Sequence, residues 1–443
     1  MRRCRLAVAL TSLPLLVLTS CDWTTFRFGP ERTGHNPGET VIGTRSVRWM
    51  VKRWSLAPPP SGGRPLLIGD PVVADGTVYV PANAISTTGT SVLYARDART
   101  GAASWSVPFQ PDQFGRGQET LSAPAVGNGL VYVGHLGISG IGMGTSYSGG
   151  VTGYGEHTGA PTWSSTFFAG GVSGPALANN RVYATALYNT FLIGSFSGLA
   201  AWDAGPSGQS EFVGPGGGPN RPASAPAIAS GVAYSGTEAG SLVAVDAAGI
   251  TNCTPTPPQV PPSYPRRVCA ALWSTPTSGP ISSTPAVSGG VVYVGSADTK
   301  LYAVDAKGCG ASSCAALWTA ATGAAITSSP AVANGVVFVG SDDGRLYAFA
   351  SAGCGAPTCP PLWTAATGAA IKSSPAEANG VVFVGSDDGR LYAFASGGCG
   401  APTCSPLWSY ATGGAVRSSP VVANGMVYVG SEDGRLYAFG LPQ

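Results

Sequence analysis

This chain has little charge. Asp, Glu, Lys and Arg make up 10% of its 443 residues, and 24 basic against 22 acidic residues leave a formal charge of +2. Losing Arg2, Arg3 and Arg5 with an export signal turns +2 into −1. Neither value gives the electrostatic footprint of a nucleic-acid or anionic-surface binder. There are three histidines, His35, His135 and His157, too scattered in sequence to suggest an imidazole-rich metal centre. No two cysteines are adjacent. The apolar run from Leu6 to Leu18 is too short to span a bilayer. No G-x-S-x-G elbow with triad partners, P-loop or dinucleotide fingerprint stands in a credible context. The run Gly137 to Gly155 is glycine-rich but reads as a loop between strands, without the strand-turn-helix setting of a phosphate cradle.

What the chain does have is repetition. The last third repeats one unit four times, anchored at Pro285, Pro330, Pro375 and Pro420, each 45 residues after the last. A fixed period of this length marks a repeat architecture. Within a unit, Ala331-Val332 precede the hairpin signal Asn334-Gly335. The run Val336 to Val339 leads to a second turn at Asp343-Gly344, then Leu346 to Phe349, then a strand marked by Trp363. Four antiparallel strands per unit make a β-propeller blade.

Weaker copies upstream add Pro71, Pro124, Pro175 and Pro226, for eight units. The tryptophan column reads Trp54, Trp105, Trp163, Trp273, Trp318, Trp363 and Trp408, with Phe212 standing in once. It is offset by one strand, so the strand around Trp54 is expected to complete the blade begun at Pro420. The expected fold is all-β, an eight-bladed propeller of four-stranded antiparallel blades over residues 48–443, closed by that strand. Residues Gly249 to Val268 read as an exposed proline-rich loop.

Residues 1–21 read as an export signal, and Leu18-Thr19-Ser20-Cys21 resembles a bacterial lipoprotein signal with Cys21 as the lipidated residue. Residues 22–47 then form a tether and lead-in. Eight further cysteines fall into near pairs: Cys253 with Cys269, Cys309 with Cys314, Cys354 with Cys359, and Cys399 with Cys404. Each pair lies on its own blade with no histidine beside it, so disulfides are expected rather than zinc. The Asp-Asp-Gly turns at Asp342 and Asp387 lack the further oxygen ligands of a calcium loop and read as hairpin turns. Arg345, Arg390, Arg435 and Lys300 follow those turns, where they pair with the turn acids or form a basic ring.

One residue breaks its column. Two positions after the anchoring proline stand Val73, Val126, Leu177, Ile228, Val287, Val332, Glu377 and Val422. Glu377, with Lys372 nearby in sequence, marks a polar spot on the channel wall. Two readings stand: a grip for a ligand or partner, or a drifted copy that pairs with Lys372 or reaches channel water.

Residues Ala95 to Trp105 match the A-x-D-x-x-T-G-x-x-x-W motif at every fixed position. Thr158, Gly159 and Trp163 keep its second half, and Ala201 with Asp203, Ala244 with Asp246, and Ala303 with Asp305 keep its first. The chain thus resembles the pyrroloquinoline-quinone (PQQ) type propeller family, and the lead-in from Asp22 looks like that of its exported members. The resemblance implies eight blades with tryptophans packed between neighbours. It also implies one of two activities. The family's enzymes are quinone-dependent alcohol dehydrogenases with an adjacent cysteine pair, a calcium site and a catalytic aspartate. Its non-enzymatic, BamB-like lipoprotein branch serves outer-membrane β-barrel assembly. The plain loops here and the missing adjacent cysteines resemble the second. The expectation is a monomeric, lipid-anchored scaffold on the extracytoplasmic side of a bacterial membrane. It has no cofactor or metal, and envelope proteins are its partners, the β-barrel assembly machinery among them. The rival readings are a PQQ-dependent dehydrogenase and a small-ligand or polysaccharide binder.

Overall fold

The computed structural model describes residues 5–7, 18–20, 22–85, 89–109, 118–139, 146–167, 172–190, 194–204, 210–214, 223–255 and 267–442. It is an eight-bladed, all-β propeller. Blades 1 to 8 are numbered from Pro71 to Pro420. Blade 6 shows the pattern: Ala331–Ala333, Val336–Gly340, Arg345–Ala350 and Trp363–Ala366 pair antiparallel in chain order, from the axis outward. The second strand is almost continuously buried because blades stack against it on both sides, as its unbroken β-branched run requires. The turn at Asn334-Gly335 has positive φ at both residues, the conformation this dipeptide favours. First-to-second-strand turns and third-to-fourth-strand loops share one face, called here the Asn-Gly face. The Asp343-Gly344 type turns and the connections between blades lie on the opposite face.

Ring closure follows the offset of the tryptophans. Val421–Ala423, Met426–Ser431 and Arg435–Gly440 are completed by Val51–Leu56, with Trp54 opposite Ala438. A strand from near the chain's beginning thus completes the sheet made by its end and closes the ring. The backbone of Phe212 sits opposite Ala201, in the register that Trp318 and Trp363 hold against Ala303 and Ala348.

Neighbouring blades are stitched at the tryptophans. A Cβ on Gly101 would lie 2.8 Å from the Trp54 ring, and one on Gly159 would lie 2.8 Å from Trp105. In blades 5 to 7 the Thr-Gly turn is gone, yet Gly308, Gly353 and Gly398 take the same place against Trp273, Trp318 and Trp363. The second-strand tyrosine helps: Tyr428 Oη and Trp54 Nε1 both donate to the Ala98 carbonyl, at 2.8 and 3.1 Å. Tyr79 and Trp105 converge likewise on the Glu156 carbonyl.

Two loop expectations change. Residues 249–268 are not simply a loop: Cys253–Pro255 pairs with Arg267–Cys269, and Val268 extends the blade 3 sheet beside Val213. Much of the run 137–155 is a strand, Ser146–Gly155, paired with Leu130–Ser139. Gly149, Gly150, Gly153 and Gly155 are strand residues there, which composition alone presents as loop.

Candidate functional site

The innermost strand of each blade is only about three residues long, and its axial edge needs hydrogen-bond partners. The lead-in supplies them. From Trp23 to Asn36 the chain winds once round the inner wall, blade by blade. Its carbonyls at Trp23, Thr24, Pro30, Glu31, Thr33 and Gly34 accept from the amides of Val73, Val126, Ile228, Val287, Val332 and Glu377, at 2.7–2.8 Å. Asn36 Nδ2 donates to the Val422 carbonyl at 2.8 Å. These acceptors meet the branched aliphatic column itself. The column is therefore the seat of the lead-in.

Two buried arginines reach from this loop to the carbonyls of the anchoring prolines. Arg27 donates to Pro330, at 2.6 Å, and to Pro375. Arg32 donates to Pro226 at 3.1 Å, to Pro175 at 2.8 Å and to Phe26 at 2.5 Å. Burial pulls both guanidinium pKa values down to about 9, with Asp70 opposing the fall at Arg27. The Asp70 carboxyl is itself raised by burial, although the Ser419 amide donates to it. The loop turns sharply enough to need Gly34 (φ 60°), where a Cβ would lie 2.2 Å from Arg27 Nη2.

Glu377 and Lys372 are not brought together. Glu377 is fully buried; its Oε2 meets His35 Nδ1, and its Oε1 accepts the Gly380 amide at 3.0 Å. Lys372 lies on the opposite face, 3.8 Å from Asp387 Oδ2. It begins a line of alternating charge across blades 7 and 8. Arg417 bonds Asp387 at 2.8 Å and Glu432 at 2.8 Å. Arg417 and the line it completes are the features the repeat pattern gave no reason to single out.

The turn acids act as turn chemistry. Asp343 accepts from the Arg345 amide at 2.9 Å, Tyr347 Oη at 2.5 Å and the Gly323 amide at 3.0 Å, fastening the incoming connection to the blade. Asp298, Asp388 and Asp433 repeat the pattern. Among the described residues, no group of three or more His, Cys, Asp and Glu could hold a metal ion.

All four cysteine pairs are disulfides, with Cα separations of 3.9 Å for Cys253–Cys269 and 5.6 Å for Cys309–Cys314, Cys354–Cys359 and Cys399–Cys404. The last three loops also cap the preceding blade: Thr319 donates to the Pro357 carbonyl and the Cys359 amide donates to Thr319, both at 2.8 Å. Cys21 lies outside the described residues.

Solved structures show the same fold. BamB from Moraxella catarrhalis superposes with a TM-score of 0.56 at 17% identity, over 88% of this chain and 99% of that one. Quinohemoprotein alcohol dehydrogenase from Comamonas testosteroni gives 0.64 at 15%, over 95% and 80%. A europium-containing methanol dehydrogenase gives 0.62 at 12%, over 95% and 98%. At these identities the likeness concerns fold alone. Every described cysteine is spent in a disulfide with a partner at least five positions away, and at the level of the anchoring prolines the described wall is met by Arg27 and Arg32. No curated protein matches the chain. The model of one family, described as outer membrane protein assembly factor BamB and built on PQQ-type repeats, matches residues 89–249, 310–398 and 356–440, and the chain belongs to that family.

Proposed function

We propose that this protein is a non-catalytic, lipid-anchored scaffold that docks envelope proteins through one face of its ring, in outer-membrane protein assembly. The observation that carries this reading is the loop from Trp23 to Asn36. It commits the axial edge of the blades to the chain's own backbone and ties Arg27 and Arg32 to proline carbonyls. The inner wall is thereby used for structure, and what remains for recognition is a broad face of loops. The charged line Lys372–Asp387–Arg417–Glu432 on the exposed Asp-Gly face supports protein docking, since alternating charges set register and steer encounter. Family membership supports the assembly role, and the Leu18 to Cys21 sequence supports anchoring at that cysteine.

The test is crosslinking in intact cells from photo-reactive residues on the Asp-Gly face, followed by capture and mass spectrometry. Recovery of β-barrel assembly components is the expected result. Reproducible capture of other envelope proteins in their place overturns the assembly role. Calcium-dependent quinone binding by the purified protein overturns the non-catalytic reading.

A further inference from the structure

We infer that the Asn-Gly face lies against an anionic phospholipid surface, so that the opposite face points away from the bilayer toward partners. The inference rests on the proposed anchoring at Cys21 and goes beyond it, because an anchor on a long tether would leave orientation free.

There is no long tether. Asp22 accepts from the Asp75 amide at 3.1 Å and from Asn424 Nδ2 at 3.3 Å, both in first-to-second-strand turns. Trp23 is buried and its carbonyl accepts the Val73 amide. The residue bearing the lipid is one peptide, about 3.8 Å between Cα atoms, from a point fixed on the Asn-Gly face.

That face also carries most of the exposed large apolar side chains among the described residues, with Leu67 and Ile85, each 38% exposed, on the other. Glu39 accepts from the Val41 amide at 2.7 Å and the Gly425 amide at 2.8 Å, pinning the segment that leaves the axis over the blade 8 turn beside Asp22. Val41 is 53% exposed, Trp49 65% and Val51 44%. Further round the rim, Leu317, Leu362 and Leu407 stand out just before their tryptophans, at the Asn-Gly end of the outer strand. Each is a partly exposed apolar residue at a repeated position, and Leu317 and Leu362 stand beside the next blade's disulfide loop.

Charge complements this. Arg45, Arg48 and Lys52 are exposed among the apolar residues, and no acid occurs between Val41 and Trp54. Basic side chains interleaved with a tryptophan and aliphatics suit an anionic interface, where cations meet headgroups and the indole sits at the boundary. The near-zero net charge of the whole chain conceals this local excess.

The test uses the acylated full-length protein on vesicles of phosphatidylglycerol and phosphatidylcholine. A photo-reactive residue is placed at Trp49 or Leu362 on the Asn-Gly face, or at Arg345 on the other. Expected is phospholipid crosslinking from positions 49 and 362 at least about tenfold above 345, with Arg48→Glu plus Lys52→Glu reducing the yield at 49 about tenfold. Equal yields from both faces, or protein adducts in place of lipid at 49 and 362, overturn the inference. Mass spectrometry of the Cys21 peptide separates the two readings. If it carries no acyl chain, anchoring fails. The same crosslinks are then scored on the unacylated protein with vesicles: lipid adducts at 49 and 362 keep the orientation, and their absence ends it.

Discussion

Glu377 and His35 meet on the inner wall of blade 7, carboxylate Oε2 against ring Nδ1, where the other seven blades carry an aliphatic residue. The carboxylate also takes the Gly380 amide, and the Glu377 amide donates to the Gly34 carbonyl. Glu377 is thus a fastener between the lead-in and its blade.

If so, Glu377→Val, which restores the column, is destabilising. It strands a part-buried amide and an imidazole, so a loss of about 1–3 kcal/mol is expected. Urea denaturation of Glu377→Val, His35→Ala and the double variant checks this. The double variant should lose less than the sum of the singles, because both remove one contact. A more stable Glu377→Val would mean the glutamate is a drifted copy.

Glycines in the disulfide loops separate strain from contact. Gly353 and Gly355 share a φ of 79°, but a Cβ on Gly353 would lie 2.6 Å from Trp318, whereas one on Gly355 meets nothing. Gly355→Ala should cost about 1 kcal/mol of backbone strain. Gly353→Ala should cost about 2 kcal/mol more, through displacement of a buried indole. Paired thermal melts, with tryptophan fluorescence reporting the indole, distinguish them.

The disulfides should act separately and modestly. Closing a loop as short as Cys354 to Cys359 is worth about 2 kcal/mol on the chain-entropy model. Replacing both cysteines with serine should cost that much, plus part of the capping contact with Thr319. Non-reducing and reducing melts should differ for the native chain and differ less for the variant.

Acid should destabilise blade 2. His135 packs against Phe109, and burial lowers its pKa from 6.5 to about 4. Between those values the unfolded chain binds a proton that the folded chain does not. The contribution is intact above pH 6.5 and is lost as pH falls toward 4, by on the order of 3 kcal/mol. His135→Asn should flatten the acid limb of the stability profile over that interval and leave the neutral plateau comparatively level.

The repeat made the blades legible, because each strand and turn is specified by local residues: Asn-Gly for the tight hairpin, an unbroken aliphatic run for the doubly buried strand, one tryptophan for the outer strand. The offset of Trp54 made closure legible too. The path of residues 22–36 was not, because nothing local specifies it. Its partners are backbone groups up to 386 residues away, and although the anchoring prolines stand out in the repeat, nothing in it assigns their carbonyls to Arg27 and Arg32. Lys372 shows the same limit. Nearness to Glu377 in sequence suggested a pair, but a side chain before the proline lies on one face and a residue two positions after it on the inner wall.

The sharpest test of that path is Gly34→Ala. Gly34 has a φ of 60°, and an added Cβ would stand 2.2 Å from Arg27 Nη2. The Arg27 head cannot retreat cheaply, since it is buried and donates to two proline carbonyls on neighbouring blades. The substitution should therefore strain the turn and break charge-assisted bonds together, costing about 3–5 kcal/mol. Gly29→Ala is the control: its Cβ would approach only Glu31 Oε2, at 3.2 Å, and that flexible, exposed side chain can move. Gly29→Ala should stay within about 1 kcal/mol of the native chain. Fluorescence of Trp23, held edge-on to Phe28 with ring centroids 5.3 Å apart, reports the lead-in directly. Loss of the lead-in signal in Gly34→Ala before the blades melt would make the axial loop a separable unit; a single transition at lower temperature would make it part of the ring's cooperative core. An unchanged melt would mean that the lead-in does not follow this path.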